Sequence, residues 1–170
     1  MVKNKEYIKE IVEYSFLAII LYVQEQLLLF LPNIQLTVML IVLYSKVYGL
    51  KKTTYIILIY VILDCVTMGS LNIFYTPFMF IGWEMIPLLL NTIFKNINSI
   101  IGLAFVGSFT SLLYCWIYII PVVLLTEISI KNYLSSDVFF ELLIAASSFL
   151  SILWLYEPCY KAIKKLLKIR

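Results

Sequence analysis

"PNIQLTVMLIVLYSKVYGLKKTTYIILIYVILDCVTMGS", residues 32–70, is apolar except for the basic step "YGLKK" at 48–52 and a lone acid, Asp64. Its apolar runs are continuous, which favours membrane helices over the alternating strands of a membrane barrel. This stretch therefore predicts two short membrane helices joined by one turn.

The rest of the chain has the same character. Hydrophobic residues make up 63% of the 170 residues and charged residues 14%. A soluble domain has about 45–50% hydrophobic and about 25% charged residues. We therefore expect an all-α integral membrane protein with a single domain over 1–170. Polar breaks divide it into six transmembrane helices, at about 11–31, 34–50, 53–70, 74–94, 99–125 and 135–157, followed by a basic cytoplasmic tail at 158–170.

The positive charges orient these spans. With six spans both termini lie on one side, together with all of the 13 lysine and arginine residues except Lys131. Because basic residues concentrate on the cytoplasmic side, both termini are predicted to be cytoplasmic. The expected location is the plasma membrane of a bacterium.

The composition argues against several kinds of chemistry. The chain has no histidine, and its three cysteines do not form a CxxC pair. A Ser-His-Asp triad or a His-containing metal site is therefore excluded, and no ATP-binding G-x-x-x-x-G-K-[ST] motif is present. We expect no catalytic residue, no metal, no cofactor and no nucleic-acid partner.

Acidic residues are the informative polar groups, because a carboxylate within a membrane is costly and is usually functional. Five acids are predicted to share one depth in the outer half of the helices: Glu25, Asp64, Glu84, Asp137 and Glu141. Glu84 is the strongest candidate for a pocket, since it lies too deep to reach water easily. Asp64 has two interpretations, because it could contact a ligand or only brace helix 3, and Asp137 could simply reach water at the interface.

Aromatic residues accompany these acids. Trp83 precedes Glu84, and Tyr114 and Tyr118 are four residues apart on one helix face. The outer halves contain no basic residue apart from Lys131, so the predicted pocket disfavours anions. A neutral or cationic ligand with a flat ring fits best.

The stretch at 32–70, continued by "YTPFMFIGWEMIP" at 75–87, resembles the substrate-binding S component of an energy-coupling factor (ECF) vitamin transporter. The shared pattern is an apolar second helix, a "YG-basic" turn, an outer Asp on helix 3 and a following "GW". Helix 1 departs from the Ala-x-x-x-Ala pattern of many S components, since it has Ser15, Ala18 and Tyr22.

This resemblance implies a transport subunit that captures a vitamin or related micronutrient from outside. It also implies partners in the bilayer and cytoplasm, namely a membrane coupling subunit and two cytoplasmic ATPases. Outer loops and the outer ends of helices 4 to 6 would supply the binding residues, to which Asp64 and Glu25 are added from their position. The substrate-binding candidates are Asn72, Trp83, Glu84, Tyr114, Tyr118, Asp137 and Glu141.

Two questions stay open at this level. Thiamin, a pyrimidine precursor, a pyridoxine-like ring and a nucleoside-like base all fit an acidic, aromatic pocket. The alternative function is a structural membrane protein of cell-shape or cell-wall assembly (MreD-like), which needs no ligand pocket. An intramembrane enzyme is poorly supported, because acids without His, Arg or a metal cluster make a thin catalytic set.

Overall fold

A computed structural model describes residues 2–69 and 71–168, and within these ranges the chain is helical with no strand. The helices are α1 (Val2–Leu28), α2 (Thr37–Thr67), α3 (Tyr75–Asn91), α4 (Ile100–Thr126) and α5 (Ile130–Lys168). The predicted all-α class is confirmed. Three segments are long and apolar enough to cross a membrane, at Glu6–Leu28, Ile100–Thr126 and Ile130–Leu167, which supports a membrane protein.

The predicted count of six helices is wrong, because the described residues form five. The predicted spans 34–50 and 53–70 belong to the single helix α2. Helical hydrogen bonding continues on both sides of Gly49, which alone departs from helical geometry, with φ 77° and ψ 179°. Only glycine adopts such a conformation readily, so one residue makes the turn and no loop separates the two halves. We call residues 37–48 the first limb of α2 and residues 50–67 the second limb.

The first limb runs antiparallel to α1. Gln24, near the end of α1, donates from Nε2 to the Thr37 hydroxyl at the start of the limb, over 2.7 Å. Tyr44, about two helical turns further along the limb, donates from its hydroxyl to the carbonyl of Leu17, earlier in α1, over 3.4 Å. The order of contacts is therefore reversed between the two segments.

The second limb runs parallel to α1. Lys52 at its start forms an ion pair of 3.2 Å with Glu10, early in α1. Tyr60, further along the limb, donates its hydroxyl to Glu25 Oε2 near the end of α1. The two limbs consequently run in opposite directions, and α2 reverses at Gly49 as the sequence predicts.

This reversal gives the molecule two ends. The basic end holds the Gly49 turn, the starts of α1 and α4 and the ends of α3 and α5. One contact there joins α2 to the α3–α4 connection: Lys46 Nζ lies 3.3 Å from the carbonyl oxygen of Lys95 and 3.4 Å from Asn98 Oδ1. The opposite end, which we call the cavity end, holds segment 29–36 and the α4–α5 connection. Basic side chains that the structure describes at the basic end are Lys9, Lys46, Lys51, Lys52, Lys95, Lys161, Lys164 and Lys165.

Lys131 alone among the described basic side chains lies at the cavity end, at the start of α5. The side chains of Lys3, Lys5 and Lys168, and the whole of Arg170, lie outside the described part of the chain. The separation of charge between the two ends agrees with the predicted orientation. The cytoplasmic placement of the termini stays a prediction.

Candidate ligand-binding site

The cavity end contains a cavity of about 330 Å³, bounded by segment 29–36 and by residues of α1, α3, α4 and α5. Its volume lies at the lower end of the range for small-molecule sites, roughly 300–1,000 Å³. The predicted residues that the structure brings to its wall are Glu25, Trp83, Tyr114, Tyr118 and Asp137. The remaining lining residues are Leu28, Leu29, Leu31, Pro32, Asn33, Ile34, Gln35, Cys115, Tyr133 and Ile144.

Four aromatic rings form a continuous series beside the cavity. Trp83 of α3 stacks on Tyr114 of α4, with ring centroids 3.9 Å apart and planes 20° apart. Tyr114 lies 5.7 Å from Tyr118, whose ring stacks 5.9 Å from that of Tyr75. Trp83 is buried, and its Nε1 has no hydrogen-bond partner among the described residues. The wall therefore offers the aromatic surface of Tyr114 and Tyr118, while the Trp83 ring and its N–H lie buried behind it.

Gly82 lets the Tyr114 ring approach the α3 backbone. A Cβ atom placed on Gly82 would lie 2.6 Å from Tyr114 Cδ2, closer than real Cβ contacts allow. The Tyr114 ring can therefore lie against the backbone next to Trp83 only because position 82 has no side chain. The "GW" pair thus supplies one stacking ring and the space for its partner.

Glu25 is held at the wall by a buried tyrosine. The Tyr60 hydroxyl donates to Glu25 Oε2, and the Tyr60 side chain is fully buried in the second limb of α2. Asp64 lies one turn further along the same limb and is close enough to interact electrostatically with Glu25. Asp64 is buried behind the wall, and its Oδ1 has no partner in the part of the chain that the structure describes.

A second acidic pair lies on α5. Asp137 lines the cavity, while Glu141 is 8% exposed and lies one turn away, with Oε1 unpartnered among the described residues. Because α5 is continuous through both positions, Asp137 and Glu141 lie one turn apart on the same side of the helix. Cys115 contributes to the wall and was not predicted, because a lone cysteine in an apolar run carries no distinguishing signal.

Glu84 does not line the cavity. Thr54 Oγ1 donates to Glu84 Oε1 over 2.6 Å, and Thr54 lies ten residues before Asp64 on the second limb, or about 15 Å along a helix. The expected common depth of the five acids is therefore wrong for Glu84, which lies toward the basic end. Successive helix positions point about 100° apart, so Trp83 faces the cavity while its neighbour Glu84 faces α2.

Asn72 is also outside the cavity wall. Its Oδ1 accepts a hydrogen bond of 2.8 Å from the backbone N–H of Phe74, and its side chain is exposed in the turn before α3. The carboxamide thus supports that turn, a common use of Asn in loops. Neither Asn72 nor Glu84 lines this cavity, so a ligand held in it would not depend on either side chain.

Segment 29–36 covers one side of the cavity, and the amides of its outer loop "LPNIQL", Asn33 and Gln35, line it as the sequence suggests. Asn33 has φ 57°, and its Nδ2 donates to the Phe140 carbonyl of α5 over 3.2 Å. The backbone of Gln35 makes two bonds with Ser147 Oγ, of 3.1 and 3.2 Å. The signal was the "LPNI" turn, which marks a break between helices but does not show where the connection lies.

Gln24 fixes the far end of this segment. Its Oε1 accepts from the Leu36 N–H over 2.8 Å, immediately before α2 begins. Because the first N–H groups of a helix have no partner within it, this side chain satisfies one of them. Segment 29–36 is therefore attached at both of its sides, to α1 and to α5.

The charge of the wall is one-sided. The described lining residues include Glu25 and Asp137 and no lysine or arginine. No group of three or more Cys, Asp or Glu side chains among the described residues is arranged to hold a metal ion. The site can therefore stack a ring, accept hydrogen bonds from it and favour positive charge on it.

Comparison of the chain with family models, curated proteins and solved structures finds no match. The chemistry of the cavity is therefore the basis for any functional conclusion.

Proposed function

We propose that this chain is the substrate-capture subunit of an ECF-type ABC transporter, which binds a vitamin or related micronutrient for ATP-driven uptake by partner subunits. The observation that carries the proposal is the cavity of about 330 Å³ at the end of the molecule opposite the basic residues. A cavity there faces outward if the basic end is cytoplasmic, as the distribution of lysine predicts. An outward-facing site is what a capture subunit requires.

The composition of the wall supports a ring-containing ligand. The ring of Tyr114, which stacks on Trp83, and the neighbouring ring of Tyr118 provide flat apolar surface, on which an aromatic ligand gains about 0.5–1.5 kcal/mol beyond its buried area. Glu25 and Asp137 supply acceptors for N–H or O–H groups. A neutral or cationic heterocycle uses both features at once.

The partner subunits are those that the resemblance to S components implies. No ATP-binding P-loop motif occurs in the sequence, which agrees with a chain that depends on separate ATPases. The proposed partners are a membrane coupling subunit and two cytoplasmic ATPases, in the plasma membrane of a bacterium. The chain itself is proposed to bind and not to catalyse.

The test is to identify what the purified protein retains. We expect mass spectrometry of protein isolated in mild detergent to find one small ring-containing molecule, neutral or cationic, in near-stoichiometric amount. Asp137→Asn should weaken its binding about 10- to 100-fold, because a hydrogen bond to a charged group contributes about 1.5–3 kcal/mol. Glu84→Gln is the matched control, since it neutralises an acid outside the cavity and should leave binding unchanged.

The proposal has a clear contrary outcome. Protein that retains no small molecule, and that does not co-purify with an ATPase-coupled membrane subunit, would count against it. Co-purification with cell-wall assembly proteins would instead support the structural alternative. If Glu84→Gln weakened binding and Asp137→Asn did not, the ligand would lie elsewhere than in this cavity.

A further inference from the structure

A second concave surface lies at the basic end, between α1 and α5. Its volume is about 700 Å³, and the backbones of α1 and α5 make no contact with each other in the described ranges. The side chains that line it are mainly apolar, and they include Val12, Phe16 and Ile20 of α1, Leu40 and Leu43 of α2 and Ile163 of α5. We call this surface the α1–α5 groove.

The length of the α1–α5 groove matches one leaflet of a bilayer. Along α1 it extends from Ile8 to Ile20, or about 18 Å at 1.5 Å per residue. The hydrocarbon core is about 30 Å thick, so each leaflet contributes about half of that. Val12 and Phe16, which line the groove, are 62% and 63% exposed in the isolated chain. A single acyl chain entering from the basic end would cover them over this length.

The charges at the mouth of the groove select the headgroup. Lys9 lines the groove, and Glu13 lies one helical turn deeper. A phosphate beside Lys9 would gain attraction, while one placed deeper would approach the Glu13 carboxylate. Lys9 is therefore the basic side chain that lines the groove among the described residues. The groove is thus suited to an anionic headgroup at the depth of Lys9 and not at the depth of Glu13.

We propose that the α1–α5 groove binds one anionic phospholipid, with an acyl chain between α1 and α5 and its phosphate beside Lys9. Attraction to basic side chains contributes specificity for the headgroup, and the apolar walls contribute affinity for the chain. The proposal is independent of the transport function, because it uses no residue of the cavity. It assigns the basic end a role in lipid recognition beyond orienting the chain in the membrane.

The test compares two lipids that differ in headgroup charge. The full chain is placed in nanodiscs of equal phosphatidylglycerol and phosphatidylcholine, and the lipids that remain bound after transfer to detergent are counted by native mass spectrometry. We expect one retained phosphatidylglycerol per chain. Lys9→Gln should lower the ratio of retained phosphatidylglycerol to phosphatidylcholine about fivefold, equivalent to about 1 kcal/mol per basic residue. Lys95→Gln removes an exposed charge outside the groove and should leave the ratio unchanged.

A second pair of variants tests the acyl chain. Ala162 lines the groove and is exposed, so Ala162→Phe fills the space without disturbing a buried core. It should abolish retention of both lipids, whereas Ala146→Phe, at an exposed position of α5 outside the groove, should not. Ala162→Leu serves if the larger ring lowers the yield of folded protein.

Equal retention of the two lipids, or unchanged retention in Ala162→Phe and Ala162→Leu, would overturn the proposal. Particles that contain two copies of the chain and no lipid would assign the groove to self-association, which also overturns it.

Discussion

Trp83 and Glu84 are neighbours in sequence, yet their side chains meet different helices. Trp83 stacks on Tyr114 beside the cavity, whereas Glu84 accepts a hydrogen bond from Thr54 of the second limb. The difference arises because one residue of helix rotates the side chain by about 100°. At this scale a functional assignment depends on helical phase as much as on residue type.

Gly82→Ala tests the close approach of α3 and α4. The added Cβ would lie 2.6 Å from Tyr114 Cδ2, so the ring must move away from Trp83. We expect a loss of about 1–3 kcal/mol in the free energy of unfolding and weaker binding of the retained ligand. Thermal unfolding in detergent and the ligand content after purification would measure the two effects.

Ile81→Ala provides the control for Gly82→Ala, because Ile81 is 47% exposed and adjacent in sequence. It should change ligand content little. If Gly82→Ala kept both the unfolding temperature and the ligand, the Tyr114 ring could not lie against position 82 as described.

At the scale of elements, α2 is the distinctive unit. Its two limbs pack on α1 in opposite directions, and the whole reversal depends on the conformation of Gly49. A Cβ on Gly49 would meet no atom within 4 Å, so glycine is needed there for its backbone conformation and not for space. A substitution at Gly49 therefore tests whether the two limbs of α2 reverse at this residue.

Gly49→Ala should destabilise the protein by about 1–3 kcal/mol, the cost of forcing a side chain into a region of φ and ψ that is nearly exclusive to glycine. The measurement is the free energy of unfolding. Gly69, with φ 62° and equally open surroundings, lies after α2, and Gly69→Ala should cost about 1–2 kcal/mol. An unfolding free energy unchanged by Gly49→Ala would contradict the reversal at this residue.

Segment 29–36 covers one side of the cavity and is attached to α5 through Ser147. Ser147 Oγ both accepts from the Gln35 N–H and donates to the Gln35 carbonyl. Ser147→Ala removes both bonds, so the segment should detach from α5 more often. We expect the ligand to dissociate about fivefold faster for a loss of about 1 kcal/mol, measured as the rate of exchange with labelled ligand.

Ser136→Ala is the matched control for Ser147→Ala. Ser136 is also on α5, but its hydroxyl donates within its own helix, to the Tyr133 carbonyl. Its removal should leave the dissociation rate unchanged. Equal rates in both variants would mean that segment 29–36 does not limit ligand release.

Nearly all the described basic side chains lie at one end of the molecule, and this asymmetry predicts its orientation in the membrane. Lys131 lies at the cavity end and Lys161 at the basic end. If the chain crosses the membrane six times, a membrane-impermeant maleimide should label Lys131→Cys in intact cells and Lys161→Cys only after permeabilisation. Cys65, Cys115 and Cys159 would first be replaced by alanine. Labelling of both positions from the same side would contradict this orientation.

Much of the candidate site could be predicted because its residues are unusual for a membrane segment. Glu25 and Asp137 are acids in apolar surroundings, and Trp83, Tyr114 and Tyr118 are large rings near them; all five line the cavity. Glu84 has the same local signal and lies elsewhere. Segment 29–36 gave a turn signal and two amides at the outer surface, Asn33 and Gln35, and it forms a wall.

The sequence by itself determined the helical class, a turn at "YGLKK" and the separation of basic residues, because these depend on local composition and spacing. The tertiary structure alone decided that segment 29–36 attaches to Ser147 of α5 and that Glu84 faces Thr54. Those features depend on which helix faces are in contact. Contacts between residues distant in sequence determine which helix faces pack together. The hydrophobic pattern of each span does not determine this, because the spans are apolar on all sides.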